Sequence, residues 1–379
     1  MHMAAASDHE ILVDAVRDYA RAELPERDKH WDRTETSCCT ELATVYEMGL
    51  MGLRIPEQQG GLECPMLPYG HIIRELSYAS PSVGVTVSVH NMVAEIVKMY
   101  ASDAIRDEVQ TQLNLPGNLA AFAISEPNSG SDPASVQTRA EKVAGGWKLT
   151  GAKMWVTNGM TGRWFVVLAR VGNTGTSKDL CMFLIDAQQA SVKRSLIHGK
   201  MGIRGSETAE MVLDAAFVPE SHLLGQPGWG MRIALSALDG GRIGIGSQAV
   251  GIATAAYDLM VDYARTREQF GKPIGDFQAI QWMISDSKTE LNAAQQLIDR
   301  AAWLKDEGRT HTREASMAKL YASEACNRIV FRAVQSHGGY GFVNEFRVEQ
   351  LYRDARITMI YEGTSEIQRH VIARELLRA

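Results

Sequence analysis

The stretch GWKLTGAKMWVTN (146–158) marks the change in residue pattern that decides the fold. It is rich in β-branched and aromatic residues over a length typical of a strand. Three similar runs, separated by glycine-bearing turns, follow it: RWFVVLARV (163–171), LCMFLIDA (180–187) and EMVLDAAFVP (210–219). We therefore predict a β unit in the middle of the chain.

Both flanks of this unit have the three-to-four-residue apolar spacing of helices. Examples on the C-terminal side are IATAAYDLMVDYARTREQ (252–269) and SMAKLYASEACNRIVFRAVQ (316–335). The pattern predicts a helical domain at 1–118, a β domain at 119–226 and a second helical domain at 227–379. Strands and helices do not alternate, and no G-x-G-x-x-G, P-loop, G-x-S-x-G or H-E-x-x-H string is present, so a Rossmann-type nucleotide site is not expected.

The bulk properties exclude several classes of protein. The chain has 379 residues and a net charge of -6, which argues against broad attraction to nucleic acid or anionic lipid. No apolar run reaches the roughly 18 residues of a membrane span. Five cysteines without paired C-x-x-C spacing indicate free thiols and no zinc site, so we expect no metal. The start, MHMAAASDHE, resembles neither a secretory signal nor a transit peptide, so we expect a cytoplasmic protein.

Glu362 in IYEGTSEIQRHVIAREL (360–376) is the first candidate for chemistry. It precedes Gly363 at the start of a predicted helix, where Ser365 and Gln368 have the spacing of a capping box. An acid at this place is most simply stabilised by the positive end of the helix dipole. The alternative is that Glu362 is a placed base, and the local sequence does not decide between the two.

Several strings in order resemble the acyl-CoA dehydrogenase family. They are FAISEPNSGSD (122–132), MWVTNG (154–159), LDGGRIGIGSQAVGIA (238–253), RTREQFGKPIGDFQAIQ (265–281), QSHGGYGF (335–342) and RDARITMIYEGTSEIQR (353–369). The resemblance covers nearly the whole chain. It implies an α+β multidomain fold with an N-terminal helical domain, a middle β-barrel-like domain and a C-terminal four-helix bundle.

The resemblance also implies the activity. The family removes the α-proton of an acyl-CoA thioester while a hydride leaves the β-carbon for FAD, which is bound without a Rossmann fold. It further implies a homotetramer and electron-transfer flavoprotein as the redox partner. Two rivals stay open: an acyl-CoA oxidase, which passes electrons to oxygen, and a non-catalytic relative on the same scaffold.

Site residues carry over from the family position by position. Glu362 matches the catalytic base, and Gly363 beside it would allow ligand and backbone to approach closely. Gly241 stands near the point where some members carry the base instead, so Glu362 has no visible competitor. Asp239 and Arg242 match positions near the CoA and the acyl thioester.

The remaining implied positions concern FAD. Ser125, Trp155 and Thr157 match residues at the flavin ring, and Trp155 and Thr157 share one side of a strand by its period of two. Ser131 matches a position at the junction of CoA and flavin. Arg267 and Gln278 match residues that hold the pyrophosphate and adenylate across a subunit interface, although Arg267 alone could form a surface ion pair. The other implied FAD residues are Phe270, Gln335, Gly338, Gly339, Thr364 and Glu366, with His337 in a backbone-positioning role.

SVGVTVSVHNM (82–92) matches the segment that closes the acyl pocket in the family. It is more similar to short-chain members than to medium-chain ones, which implies a short or branched short acyl group. Val87 and His90 are then expected to point toward the end of the acyl chain. The alternative is that both are ordinary helix packing residues and that the pocket is deeper.

Overall fold

The computed structural model describes residues 8–378, so most of the N-terminal start discussed above lies outside the described residues. The first part of the described chain is helical. Its helices are α1 (Asp8–Thr34), α2 (Ala43–Glu47), α3 (Met66–Ala79), α4 (Pro81–Tyr100) and α5 (Asp103–Leu113). Ser80 begins α4 by accepting a hydrogen bond from Val83 N–H at 3.2 Å, and Pro81 occupies the first helical position.

A sheet of eight strands follows. Its strands are β1 (Ala120–Ala123), β2 (Arg139–Val143), β3 (Gly146–Thr157), β4 (Trp164–Arg170), β5 (Leu180–Asp186), β6 (Val192–Leu196), β7 (Thr208–Pro219) and β8 (Leu223–Leu224). The order is β6-β7-β3-β2-β4-β5-β8, and β1 pairs with β4 in parallel. The four strand-like runs of the sequence are confirmed as β3, β4, β5 and β7. Strands β6 and β8 stand at the two ends of this order and do not pair with each other in the described residues, so the hydrogen bonding does not close a barrel.

Strands β4 and β5 are buried on both faces, which explains their uninterrupted apolar sequences. One face of β4, with Phe165 and Val167, packs in the interior of the β domain. The other face, with Val166 and Leu168, packs with side chains of α4 and of the first C-terminal helix. The sheet is therefore held against the helices at the place where the candidate site lies.

The C-terminal part is again helical. Its helices are α6 (Gly230–Thr266), α7 (Gln278–Asp306), α8 (Thr312–His337), α9 (Arg347–Arg356) and α10 (Ser365–Arg378). Helices α6, α7 and α8 pack against one another, and α10 packs against α8, so the expected C-terminal helical domain is present. Helix α6 ends three residues before the predicted 269, because β9 (Glu268–Gln269) and β10 (Lys272–Pro273) form a small hairpin there.

Helix α1 is bonded to α9 and to the segment before it. Asp32 of α1 accepts from the Arg353 guanidinium of α9 at 2.6 Å. Asp28 of α1 accepts from Gln350 Nε2 at 2.7 Å, and Arg33 donates to the Asn344 carbonyl at 2.9 Å. The N-terminal helix is thus attached to a segment more than 300 residues away in sequence.

Within residues 8–378, no helix has both the length and the apolar character that crossing a bilayer requires. The five cysteines, Cys38, Cys39, Cys64, Cys181 and Cys326, are all free thiols.

Candidate active site

Glu362 lies in a left-handed turn between α9 and α10. Its φ angle is +53° and that of Gly363 is +88°, a backbone that a glutamate rarely adopts. Gln368 Nε2 donates to the carbonyls of Glu362 and Gly363 at 3.0 and 2.9 Å. Lys319 Nζ donates to the Gly363 carbonyl at 2.7 Å. Side-chain donors therefore hold both carbonyls of the strained turn.

The start of α10 differs from the predicted capping box. Thr364 Oγ1 accepts from Ile367 N–H at 3.3 Å, so Thr364 provides the cap. Ser365 Oγ is buried without a hydrogen-bond partner, and Gln368 bonds to the Glu362 turn instead of reaching back to Ser365. The box prediction was wrong by one residue, because the helix already begins at Ser365 and Thr364 is the residue before it.

The Glu362 carboxylate is partly removed from solvent but is not fixed by hydrogen bonds or ion pairs from the described residues. Its Oε2 atom is buried and accepts no hydrogen bond from the described residues. Burial raises the pKa of Glu362 to about 7, against the positive charges of Arg242 and Lys319. Neither cation lies within the 4.0 Å of an ion pair with it. This carboxyl group is therefore poised to exchange a proton near neutral pH.

Arg242 is a buried cation on α6, and one of its terminal nitrogens is hydrogen-bonded away from Glu362. Its Nη1 donates to Asp239 Oδ1 at 2.6 Å and to Ser316 Oγ at 3.2 Å. Asp239 also accepts from Thr312 Oγ1 at 2.6 Å, which fixes its carboxylate between α6 and α8. The implied pair of Asp239 and Arg242 thus lies beside Glu362 as a structured unit.

Gly241 gives the Glu362 carboxylate its space against α6. A Cβ atom on Gly241 would lie 2.5 Å from Glu362 Oε2 and 3.2 Å from Met92 Sδ. Helix α4 therefore presents Met92 toward the base. One turn away, a Cβ on Gly244 would lie 2.6 Å from Ser88 Oγ, so Ser88 belongs to the same face of α4.

Val87 and His90 lie on other faces of α4. Val87 is buried in the core with Leu50 and Met51, and His90 Nδ1 accepts from Ala120 N–H at 3.1 Å. Burial lowers the pKa of His90 to about 4, so the ring is neutral at pH 7. Their contacts do not support the expectation that they point toward the acyl tail, because the helical period carries Ser88 and Met92 to that side instead.

The implied flavin-ring residues meet where β1 and β3 come together. The Ser125 carbonyl accepts from Met154 N–H at 2.9 Å, which brings Ser125 next to Trp155. Trp155 has a φ of +62° in a β-bulge between Lys153 and Val156, so the strict period of two is interrupted at this point. Its ring is 61% exposed, whereas Thr157 is half-buried and Ser131 is exposed.

A buried ion pair holds the segment after β1, which carries Ser125, against β3. Lys153 Nζ lies 2.7 Å from Glu126 Oε1, and both side chains are almost completely buried. Glu126 also accepts from the N–H groups of Gln137 and Thr138 at 2.6 and 3.0 Å. The segment that carries Ser125 is therefore anchored to β3.

A second group of implied residues lines a pocket of about 550 Å³. The pocket brings Arg267, Gln335, Gly338 and Gly339 together. Arg267 packs its guanidinium over the Tyr340 ring at 5.6 Å and forms no ion pair within residues 8–378, so the surface ion-pair reading is not supported. Phe270 is 92% exposed, and Gln278 is exposed at the first position of α7.

His337 packs in the wall of this pocket. Its ring stacks on Tyr263 at 4.2 Å between centroids, and its Nδ1 lies 2.7 Å from the Ala333 carbonyl. The described contacts agree with a positioning role. The lining of the pocket includes neither Thr364 nor Glu366, so the implied FAD residues form two separate groups within one chain.

These two groups fit the parts of FAD. Arg267 is a cation without a carboxylate partner, and open space lies where Cβ atoms of Gly338 and Gly339 would be, so a pyrophosphate could approach both the charge and the backbone. Trp155 offers an exposed aromatic face of the kind that stacks on a flavin ring. No group of three His, Cys, Asp or Glu side chains in the described range is arranged to hold a metal.

Lys319 is the residue that the sequence reading missed. It lies fully buried on α8 among Ala315, Ala318 and Ala322, at helical spacing. The sequence did contain an indication: a lysine among alanines at helical spacing lies on a face that is expected to be buried. Because lysine is rarely buried without a reason, this position could have been identified as a candidate.

Three family models match the chain: the N-terminal, middle and C-terminal domains of acyl-CoA dehydrogenase, over residues 6–113, 121–216 and 228–377. The mitochondrial short-chain specific acyl-CoA dehydrogenase of Mus musculus is 39% identical over 98% of this chain and 90% of that protein. The structure of butyryl-CoA dehydrogenase from Megasphaera elsdenii aligns with a TM-score of 0.95 at 32% identity, covering 100% of both chains. A chain solved in work on the electron transferring flavoprotein of Acidaminococcus fermentans aligns with a TM-score of 0.96 at 33% identity, again covering 100% of both chains.

Proposed function

The chain belongs to the acyl-CoA dehydrogenase family, and we propose that Glu362 removes the α-proton of its acyl-CoA substrate. It is a FAD-dependent oxidoreductase that acts on CH–CH groups. The observation that carries the proposal is the half-buried Glu362, whose Oε2 atom is buried without a hydrogen bond and whose pKa is raised by burial to about 7. When bound, FAD supplies the acceptor for the hydride that leaves the β-carbon.

The backbone of the turn supports the same role. In the described residues, the Glu362 N–H donates to no backbone or side-chain acceptor. A free N–H beside the base can donate to the thioester carbonyl oxygen, which becomes more negative as the α-proton leaves. Glu362 would thus contribute both the base and an oxyanion donor.

We further propose that the FAD site is shared between subunits of a homotetramer. The separation of the Arg267 pocket from the Trp155 and Glu362 region supports this, because one group would serve a neighbour's cofactor. Large apolar side chains exposed on the C-terminal helices and their connections also support assembly: Phe270, Trp282, Phe331 and Phe342.

The substrate we propose is a short or branched short acyl-CoA. Gly240, next to Gly241, faces a buried ion-pair network, since a Cβ on Gly240 would lie 2.6 Å from Lys305 Nζ. Glu95 accepts from Lys305 at 2.8 Å and from Arg54 at 2.9 Å.

In this proposal, the charged side chains of Glu95, Lys305 and Arg54 limit the space for the acyl chain beyond Glu362. Burial opposes ionisation of Glu95, but Lys305 and Arg54 lower its pKa to about 2, so the network is ionic at neutral pH. An apolar acyl chain that extends past Met92 would meet these charges and gain little free energy from burial.

We place the enzyme in fatty-acid β-oxidation, with electron-transfer flavoprotein as the electron acceptor and the cytoplasm as its location. The support for the acceptor is the likeness to members of the family, and the support for a reducing compartment is the set of five free thiols.

Glu362→Gln tests the assignment of the base. The amide keeps the shape of the side chain but cannot accept the proton, so FAD should stay bound while substrate no longer bleaches the flavin. We expect the anaerobic reduction rate to fall by a factor of about 10² to 10⁴ or more. Reduction near the wild-type rate in a folded, yellow variant would show that another residue is the base.

A chain-length profile tests the substrate. We expect kcat/KM to peak near butyryl-CoA or a branched acyl-CoA of similar size and to fall about tenfold or more by octanoyl-CoA. Met92→Ala should raise the relative activity with longer acyl-CoAs. Val87→Ala, on another face of α4, is the matched control and should leave the profile unchanged. A wild-type profile that rises toward octanoyl-CoA would refute the short-chain assignment and leave the dehydrogenase assignment intact.

A further inference from the structure

Lys319 is buried where a charge is costly. Its side chain is fully buried on α8, and an ammonium removed from water must be compensated by hydrogen bonds or opposite charge. Its described hydrogen bond goes to the Gly363 carbonyl at 2.7 Å. This contact joins α8 directly to the turn that carries Glu362.

The contact is made next to a residue with a strained backbone. Glu362 has a left-handed backbone, which persists only where neighbouring bonds hold it. Gln368 holds the turn from α10 and Lys319 holds it from α8. The position of the carboxylate therefore depends on a donor from each helix.

Lys319 also acts on the carboxylate through space. Arg242, the other nearby cation, is bonded to Asp239, which neutralises much of its charge. Lys319 has no ion pair within residues 8–378, and among the charges around it Glu362 has the largest effect on its pKa. Both Arg242, which has the larger effect, and Lys319 oppose the rise in the pKa of Glu362. The titratable and charged groups that act on this cluster from the surrounding elements are Tyr69 on α3, Asp239 and Arg242 on α6, Lys319 and Glu324 on α8, Tyr361 in the turn, and Glu366 and Arg374 on α10.

We propose that Lys319 is the positioning residue of the base: its ammonium holds the Gly363 carbonyl and keeps positive charge beside Glu362 without forming an ion pair with it. The proposal rests on Glu362 as the base. An ion-paired carboxylate would be a weaker proton acceptor, whereas a cation beyond contact distance favours the ionised form and leaves both oxygens available.

The sign of the pH effect follows from this arrangement. Glu362 is active when ionised, and burial raises its pKa while Lys319 opposes that rise. Removing the Lys319 charge should raise the pKa of Glu362 further. The acid limb of kcat/KM should therefore move to higher pH by about one unit or more.

Three substitutions separate the two roles. Lys319→Arg keeps charge and donors, Lys319→Gln keeps a donor without charge, and Lys319→Met removes both. Arg328→Met is the matched control, because it removes a positive charge from an exposed part of the same helix. For each variant we would measure flavin content, thermal unfolding and the pH profile of anaerobic flavin reduction by butyryl-CoA.

We expect Lys319→Gln and Lys319→Met to move the acid limb upward, with Lys319→Met also losing rate at its optimum. Lys319→Arg and Arg328→Met should keep the limb near wild type. An unmoved limb in folded, flavin-loaded Lys319→Gln and Lys319→Met would overturn the proposal. If Glu362→Gln also reduced its flavin normally, the base assignment would be at fault instead, so the two failures are distinguishable.

Discussion

At the scale of the residue, the chemistry of the site depends on the distance between a carboxylate and its two cations. Glu362 is shielded enough for its pKa to reach about 7, and Arg242 and Lys319 stay outside ion-pair range. A carboxyl group in water would be fully ionised at that pH but would be a weak base. Burial therefore makes Glu362 a stronger base by raising its pKa. Arg242 and Lys319 limit this rise, so the carboxyl group still loses its proton near neutral pH.

The pH profile of the wild-type enzyme tests this balance. Because the protonated Glu362 cannot accept the substrate proton, kcat/KM should fall as the pH drops through about 7. The measurement is anaerobic flavin reduction over pH 5 to 9, with flavin content checked at each end. An acid limb close to pH 4.5, the ordinary value for glutamate, would contradict a buried base.

The sequence predicted some residues of the site but not others. Glu362, Asp239 and Arg242 were identified through family strings, and the structure places them together. Lys319 was missed because its role depends on the approach of α8 to a turn 44 residues later, which no local pattern encodes. Tertiary contacts of this kind decide which buried charges matter.

At the scale of the element, helix α4 shows why the orientation of Val87 and His90 could not be predicted from the sequence. Every residue from Pro81 to Ala94 is buried, so this part of the helix has no exposed polar face from which its rotation could be predicted. The sequence identified α4 as a candidate for the acyl pocket, but only the packing of the helix shows that Ser88 and Met92, and not Val87 and His90, face Gly244 and Gly241. The strands were easier, because β4 and β5 are apolar on both faces and bounded by glycine turns.

The start of α10 offers a matched pair of substitutions. Thr364→Ala should lower stability by about 1 kcal/mol, because the N–H of Ile367 loses its side-chain acceptor. Ser365→Ala should be nearly neutral, since its hydroxyl has no partner in the described residues. Thermal unfolding of the holoenzyme variants is the measurement. Equal losses, or a larger loss for Ser365→Ala, would support the capping box over the observed cap.

At the scale of the whole molecule, cofactor and assembly should depend on each other. Arg267→Ala removes the cation of the pocket that we assign to a neighbour's pyrophosphate, so FAD content and tetramer should decrease together. Arg265→Ala is the control, because Arg265 is exposed and only loosely paired with Asp262 at 3.9 Å. Flavin absorbance per chain and size-exclusion mass report the two quantities. A fully flavinated monomer of Arg267→Ala would contradict a shared site.

The bonds between α1 and α9 have a consequence for how the protein is made. A ribosome releases the N-terminal helix long before it has synthesised Gln350 and Arg353, the residues to which Asp28 and Asp32 are bonded. During that interval α1 lacks its final partners, and its buried face, with Leu24 and Trp31, can be reached by chaperones. We therefore expect the nascent chain to become resistant to proteolysis only after the last helices have emerged, so that a truncation near residue 345 would expose the opposite end of the molecule.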